Sequence, residues 1–143
     1  MNKERIILEK ASEFFPHTET YLDASGINRE FALNLREVMG DGGYIVTAIE
    51  TDVEDGYEFE SYSETNPFNA LASVRSKIRR GLATKYLLLE EDRVALRFDE
   101  FQGRIGSGGV IIDGQFITFA ELCEMLQVYE GFSITLSITN PSL

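Results

Sequence analysis

No tryptophan, one histidine (His17) and one cysteine (Cys123) occur in this chain. A lone cysteine excludes an intramolecular disulfide and favours a reducing compartment. One histidine and one cysteine cannot furnish a structural zinc site. His17 follows Pro16 in an expected loop and lacks the neighbours that a nucleophile–base pair or triad needs, so it reads as an exposed loop residue. Cys123 sits among acids in Glu121-Leu122-Cys123-Glu124-Met125, a poor setting for a reactive thiolate, and reads as a buried structural residue. No apolar run approaches the roughly 18 residues of a membrane span. Ile6-Ile7-Leu8 is too short and too closely flanked by charge for a secretory signal. These absences lead us to expect a cytoplasmic protein with no membrane partner.

Basic residues are the scarce charge: 13 against 24 acids, for a net charge of -11. Such a chain is repelled by nucleic acid and by anionic lipid, and no aromatic interleaving argues for base stacking. The charge is also sorted. Glu50 to Glu64 holds seven acids and no base, whereas five of the 13 bases fall between Arg75 and Lys85. The size of the chain, 143 residues, suits a single domain able to bury a core without a staple.

Ile6, Ile7, Ala11, Phe14 and Phe15 recur at helical spacing and predict a helix over 3–15, stopped by Pro16. Asn28 reads as the N-cap of a second helix with Phe31, Leu35, Val38 and Met39 on its apolar stripe and Gly40 at its end. The period then shortens to two. Tyr44 to Asp52 and Tyr57 to Ser63 read as a hairpin turning at Glu54-Asp55-Gly56, with Gly56 left-handed. That register places Ile45, Ile49, Val53, Tyr57 and Phe59 on one face. Glu50, Asp52, Glu58 and Glu60 occupy the other, with Asp52 opposite Glu58 and Glu50 opposite Glu60.

Asn66-Pro67 opens a helix to about residue 83, with Leu71, Val74, Ile78 and Leu82 inward. Arg75 and Arg79 flank that stripe and Arg80 points away from it. Residues 86–90 and 94–99 read as a second hairpin, and Val110–Ile112 with Gln115–Ile117 as a third around Asp113-Gly114. Thr118 and Glu121 form a capping box for a helix to about Val128. Phe132, Ile134, Leu136 and Ile138 alternate with Ser133, Thr135, Ser137 and Thr139 as a half-buried closing strand. The expected fold is α+β: a mostly antiparallel sheet of hairpins over about 43–139 with helices packed on it, preceded by a helical pair within 1–40.

Three candidate motifs carry no chemistry. Asp52 to Gly56 lacks the alternation and the final glutamate of a calcium loop. Gly103 to Gly109 lacks the Lys-Ser/Thr of a P-loop and has no helix behind it, so it reads as a flexible or bulged strand connection. Acidic pairs are too common here to single out a glycosidase-like couple. No cofactor is expected, and the balance leans away from an enzyme.

Lys77-Ile78-Arg79-Arg80-Gly81-Leu82-Ala83 with Lys85-Tyr86-Leu87, Gly103-Arg104-Ile105 with Ile112-Asp113-Gly114, and Thr118 to Leu122 leading to Tyr129-Glu130-Gly131-Phe132 together resemble an uncharacterised family of small bacterial proteins, a domain of unknown function. The resemblance spans about 43–139 and implies a bacterial cytoplasmic setting, with no activity attached. The expected role is a protein–protein interaction module, with self-association as a homodimer one form of it. Its binding residues would be an acidic ridge (Glu50, Asp52, Glu58, Glu60) and a basic one (Arg75, Arg79, Arg80). A binder of small anionic or phosphorylated ligands and an acidic immunity-type inhibitor of a basic partner stay open as alternatives.

Overall fold

Two sheets and a lone hairpin, all antiparallel, and two helices make up the described part of the chain, an α+β arrangement. The structure, a computed structural model, describes residues 15–40 and 42–141. The first sheet has the order β1 (Thr18–Leu22), β2 (Asn28–Glu37), β3 (Tyr44–Glu50), β4 (Glu58–Ser63). Helix α1 (Pro67–Leu82) covers one face of it. Asn66 accepts a hydrogen bond from the Phe68 N–H and Pro67 opens the first turn, as the sequence predicts. Phe31, Leu33, Val46 and Ala48 from the sheet meet Ala70, Leu71, Val74, Ile78 and Leu82 from the helix in the first core.

The expected helix over 3–15 lies outside the described residues except for Phe15, which is buried in this core. The second expected helix, from Asn28, is instead strand β2. Phe31, Leu35 and Val38 fit a helical period, but Phe31, Leu33 and Leu35 also alternate, and pairing between β1 and β3 decides for the strand. The turn that starts it runs through Asp23 to Ile27, where the Asp23 carboxylate accepts the N–H groups of Ser25 and Ile27 and Gly26 takes a left-handed φ of 79°.

The β3–β4 hairpin forms, in a different register. Thr47 faces Glu60 and Ile49 faces Glu58, so neither acid opposes another. Residues Tyr44, Val46, Ala48 and Glu50 point into the protein and Ile49 points out. Asp52 and Asp55 hold the left-handed conformations of the loop, with φ of 58° and 55°, in place of Gly56.

The second part of the chain carries the hairpin β5 (Leu87–Leu89) and β6 (Val94–Leu96), the three-stranded sheet β7 (Arg104–Gly106), β8 (Gly109–Ile112), β9 (Gln115–Thr118), and helix α2 (Phe119–Gln127). Both bonds of the expected capping box are present: Thr118 accepts from the Glu121 N–H, and Glu121 from the Thr118 N–H. Asp113 and Gly114, both at positive φ, make the tight β8–β9 turn. The glycine-rich stretch expected to be a loose connection is the ordered β7–β8 hairpin. Leu87, Val110, Ile112, Ile117 and Met125 form a second core. Cys123 is exposed, contrary to expectation, because α2 turns Met125 and Leu122 inward. Among the described residues no helix is long and apolar enough to cross a membrane.

Residues 132–139, expected to close the domain as a strand, pair with no strand among the described residues. Phe132, Ile134, Leu136 and Ile138 are 70%, 75%, 76% and 70% exposed.

Candidate functional site

Two features stand out once the chain is folded: a buried ionic cluster between the two cores and the bare C-terminal segment.

The cluster begins at the β1–β2 turn. The Asp23 side chain is fully buried and receives the Arg29 Nε at 3.0 Å and the Lys85 Nζ at 3.2 Å. The Arg29 Nη1 donates to Glu50 at 3.1 Å, and the other Glu50 oxygen accepts the Tyr57 N–H at 3.1 Å. Glu50 thus folds inward to tie off its own loop. Two carboxylates and two cations balance, which is the condition for burying charge at all. The Tyr57 ring lies 5.8 Å from both the Arg29 guanidinium and the Lys85 ammonium. Burial alone would push the Asp23 carboxyl upward, but hydrogen bonds from Ile27, Arg29, Ser25 and Lys85 hold it far below the usual carboxylate range.

In the second part of the chain the Asp113 carboxylate accepts the Tyr86 and Leu87 N–H groups at 2.9 and 2.8 Å, directly after Lys85 in the sequence. A Cβ on Gly114 would lie 2.8 Å from the Tyr57 ring, so the β8–β9 turn abuts that ring. Arg104 on β7 donates to the Gly56 carbonyl at 3.2 Å and pairs with Glu58 at 3.3 Å.

The Tyr57 hydroxyl is buried with no hydrogen-bond partner among the described residues. Burial first, and the Asp113 charge second, push its pKa well above the ordinary 10.0. Tyr57→Phe removes an unsatisfied buried polar atom and is expected to stabilise the fold by about 1 kcal/mol at neutral pH. A raised pKa contributes stability that is full below pH 10.0 and is lost as pH climbs toward the folded value, so the variant should also resist alkali better. Urea unfolding at neutral and alkaline pH measures both. A loss of stability instead would mean that the hydroxyl holds a buried water.

The seven residues singled out in the sequence do not assemble into two ridges. Glu50 is buried against Arg29. Asp52 is exposed in the loop. Glu58 pairs with Arg104 across the gap to the second sheet. Glu60 lies on edge strand β4, where its carbonyl accepts the Lys77 Nζ at 2.6 Å. Arg75 is held bidentately by Glu19 on β1, and that pairing drops the Glu19 carboxyl below its usual range. Arg79 lies over the Tyr21 ring at 5.9 Å, and Arg80 is exposed. The Tyr21 phenol is pushed up to about 12 by burial and by its bond to Glu19. Asp23, Arg29, Lys85 and Asp113 escaped sequence reasoning. Of the signals read in the sequence, only the Asp113-Gly114 turn lies among them.

The C-terminal segment is a strap held at both ends. At its root the Phe132 N–H donates to the Tyr129 carbonyl at 2.8 Å, and the two rings meet edge to face at 5.7 Å. At its far end the Pro141 carbonyl accepts the Lys77 Nζ at 2.7 Å, beside the β4 edge. Between the anchors, residues 132–140 carry no charge.

Comparison with known proteins divides the chain where the two cores divide it. Residues 13–83 match a domain of unknown function (DUF7686), and residues 86–143 match a second domain of unknown function (DUF7713). No curated protein and no protein of solved structure matches the chain.

Proposed function

We propose that this pairing of two domains of unknown function is a non-enzymatic protein–protein interaction module whose contact element is the strap Phe132–Ile138. The observation that carries this reading is the exposure of four large apolar side chains at alternate positions of an uncharged segment held at both ends. Apolar surface gathered in this way marks a contact site on a soluble protein. An extended segment offers a partner both a row of backbone hydrogen bonds and alternate side chains for pockets. Fixing its ends beforehand lowers the ordering cost of binding.

The charged residues support a different part. Glu50, Glu58 and Arg75 are already engaged within the chain, which argues against an acidic inhibitor that works through an open ridge. The glycines that suggested an anion cradle serve packing: a Cβ on Gly103 or Gly109 would run into the backbone of the neighbouring strand.

The test compares the full chain with the double variant Ile134→Asp, Leu136→Asp in quantitative affinity capture from native extract, followed by binding measurements on the purified partner. Binding is expected for the native chain and for Arg79→Ala, Arg80→Ala, with loss in the strap variant. Capture of the same partner by the strap variant would refute the reading.

A further inference from the structure

We infer that the partner of the strap is a second copy of this chain, joined by antiparallel pairing of the two Phe132–Ile138 segments about Thr135; this rests on the strap being the contact element. The segment Phe132-Ser133-Ile134-Thr135-Leu136-Ser137-Ile138 is symmetric in polarity about its middle residue. Turned end for end, Phe132 faces Ile138, Ile134 faces Leu136 and Ser133 faces Ser137, with Thr135 opposite its own copy. Every apolar side chain then meets an apolar one on a single face, and every hydroxyl meets a hydroxyl on the other. A two-fold contact demands self-complementarity of this kind, with residue i touching j and j touching i. A contact with an unrelated protein does not.

Charge points the same way. Two chains of -11 repel each other over most of their surface. The run 132–140 holds no charge of either sign, so it is where two such chains approach at least cost. A basic partner, the alternative that net charge alone suggests, would be met by carboxylates at the contact, and the strap has none.

Pairing sets the eight large apolar side chains of the two copies side by side on one face, where opposed pairs support one another. Val128 and Phe98, both exposed, extend the apolar surface at the root, where the Tyr129 hydroxyl donates to the Phe98 carbonyl at 3.2 Å.

Two measurements on the full chain test the pairing. Light scattering across a concentration series should give twice the chain mass. Leu136→Asp, at an exposed position, should weaken association roughly 100-fold and leave the melting curve unchanged only at concentrations where the native chain is itself monomeric. Directly opposed Cβ atoms lie about 4.5–5.5 Å apart, close to disulfide reach. In a Cys123→Ser background, Thr135→Cys should therefore cross-link two chains under mild oxidation, while Ala72→Cys, at an exposed position on α1, should not. A single-chain mass at all concentrations, a dimer indifferent to Leu136→Asp, or equal cross-linking from both cysteine variants would overturn the pairing. If the pairing fails while strap-dependent capture of another protein persists, the strap remains the contact element. If that capture is absent as well, both conclusions fall.

Discussion

Asp23→Ala is expected to lower the free energy of unfolding by about 3–5 kcal/mol, the usual cost of removing one partner from a buried ionic group. The Asp23 side chain is fully enclosed and serves four donors: two backbone N–H groups in its own turn, Arg29 and Lys85. Alanine leaves the Lys85 ammonium, itself only 14% exposed, facing a cavity, and it strips the turn that directs β1 into β2. Glu58→Ala is the contrast. Its pair with Arg104 is 40% and 37% exposed, so the expected cost is below about 1 kcal/mol. The two variants remove the same chemical group, and burial sets the difference. Urea unfolding at neutral pH reads both. A loss under about 1 kcal/mol for Asp23→Ala would mean that the cluster rearranges around the gap. The pH dependence supplies an independent check. A depressed folded pKa contributes stability that is present above the unfolded value of 3.8 and is lost as pH falls toward the folded one. The native chain should therefore weaken as pH falls below 3.8, and Asp23→Ala should show a shallower acid limb.

Gly109→Ala is expected to cost about 3 kcal/mol, at the upper end for overpacking. Gly109 opens β8, and a Cβ there would lie 2.2 Å from the carbonyl oxygen of Ile117 on β9. Backbone cannot step aside as a flexible side chain can, so the two strands must separate where Val110 and Ile117 fill the second core. Gly108→Ala, one residue earlier, meets nothing within 4 Å and loses only through its φ of 81°, about 1 kcal/mol. Equal losses in the two variants would show that conformational freedom, and not the close approach of the strands, explains both glycines.

Local signals carried most of what was legible in the sequence. Asn66-Pro67, the Thr118–Glu121 box and Asp113-Gly114 each act within a few residues, and each formed as read. The errors share a cause, because they depend on distant partners. Phe31 and Leu35 satisfy two periods, and only the strands on either side choose between them. A hairpin register that sorts acids from apolar residues puts Glu50 on the acidic outer face. In the fold it is buried by Arg29, 21 positions away. Moving that one residue inward shifts the hairpin register and scatters the acidic ridge. Phe132 to Ile138 alternate as a half-buried strand would, but none of the described strands lies beside them and their apolar side chains stay exposed.

Lys85 lies in the two-residue gap between the matched segments, 13–83 and 86–143, and its ammonium closes the charge balance around Asp23. The joint is therefore more than a tether. Shuffling either half into another gene would strand an unneutralised carboxylate beneath the sheet or orphan the cation meant for it. With the chain cut at this seam, the Asp23 and Glu50 carboxylates would be left to share Arg29 alone.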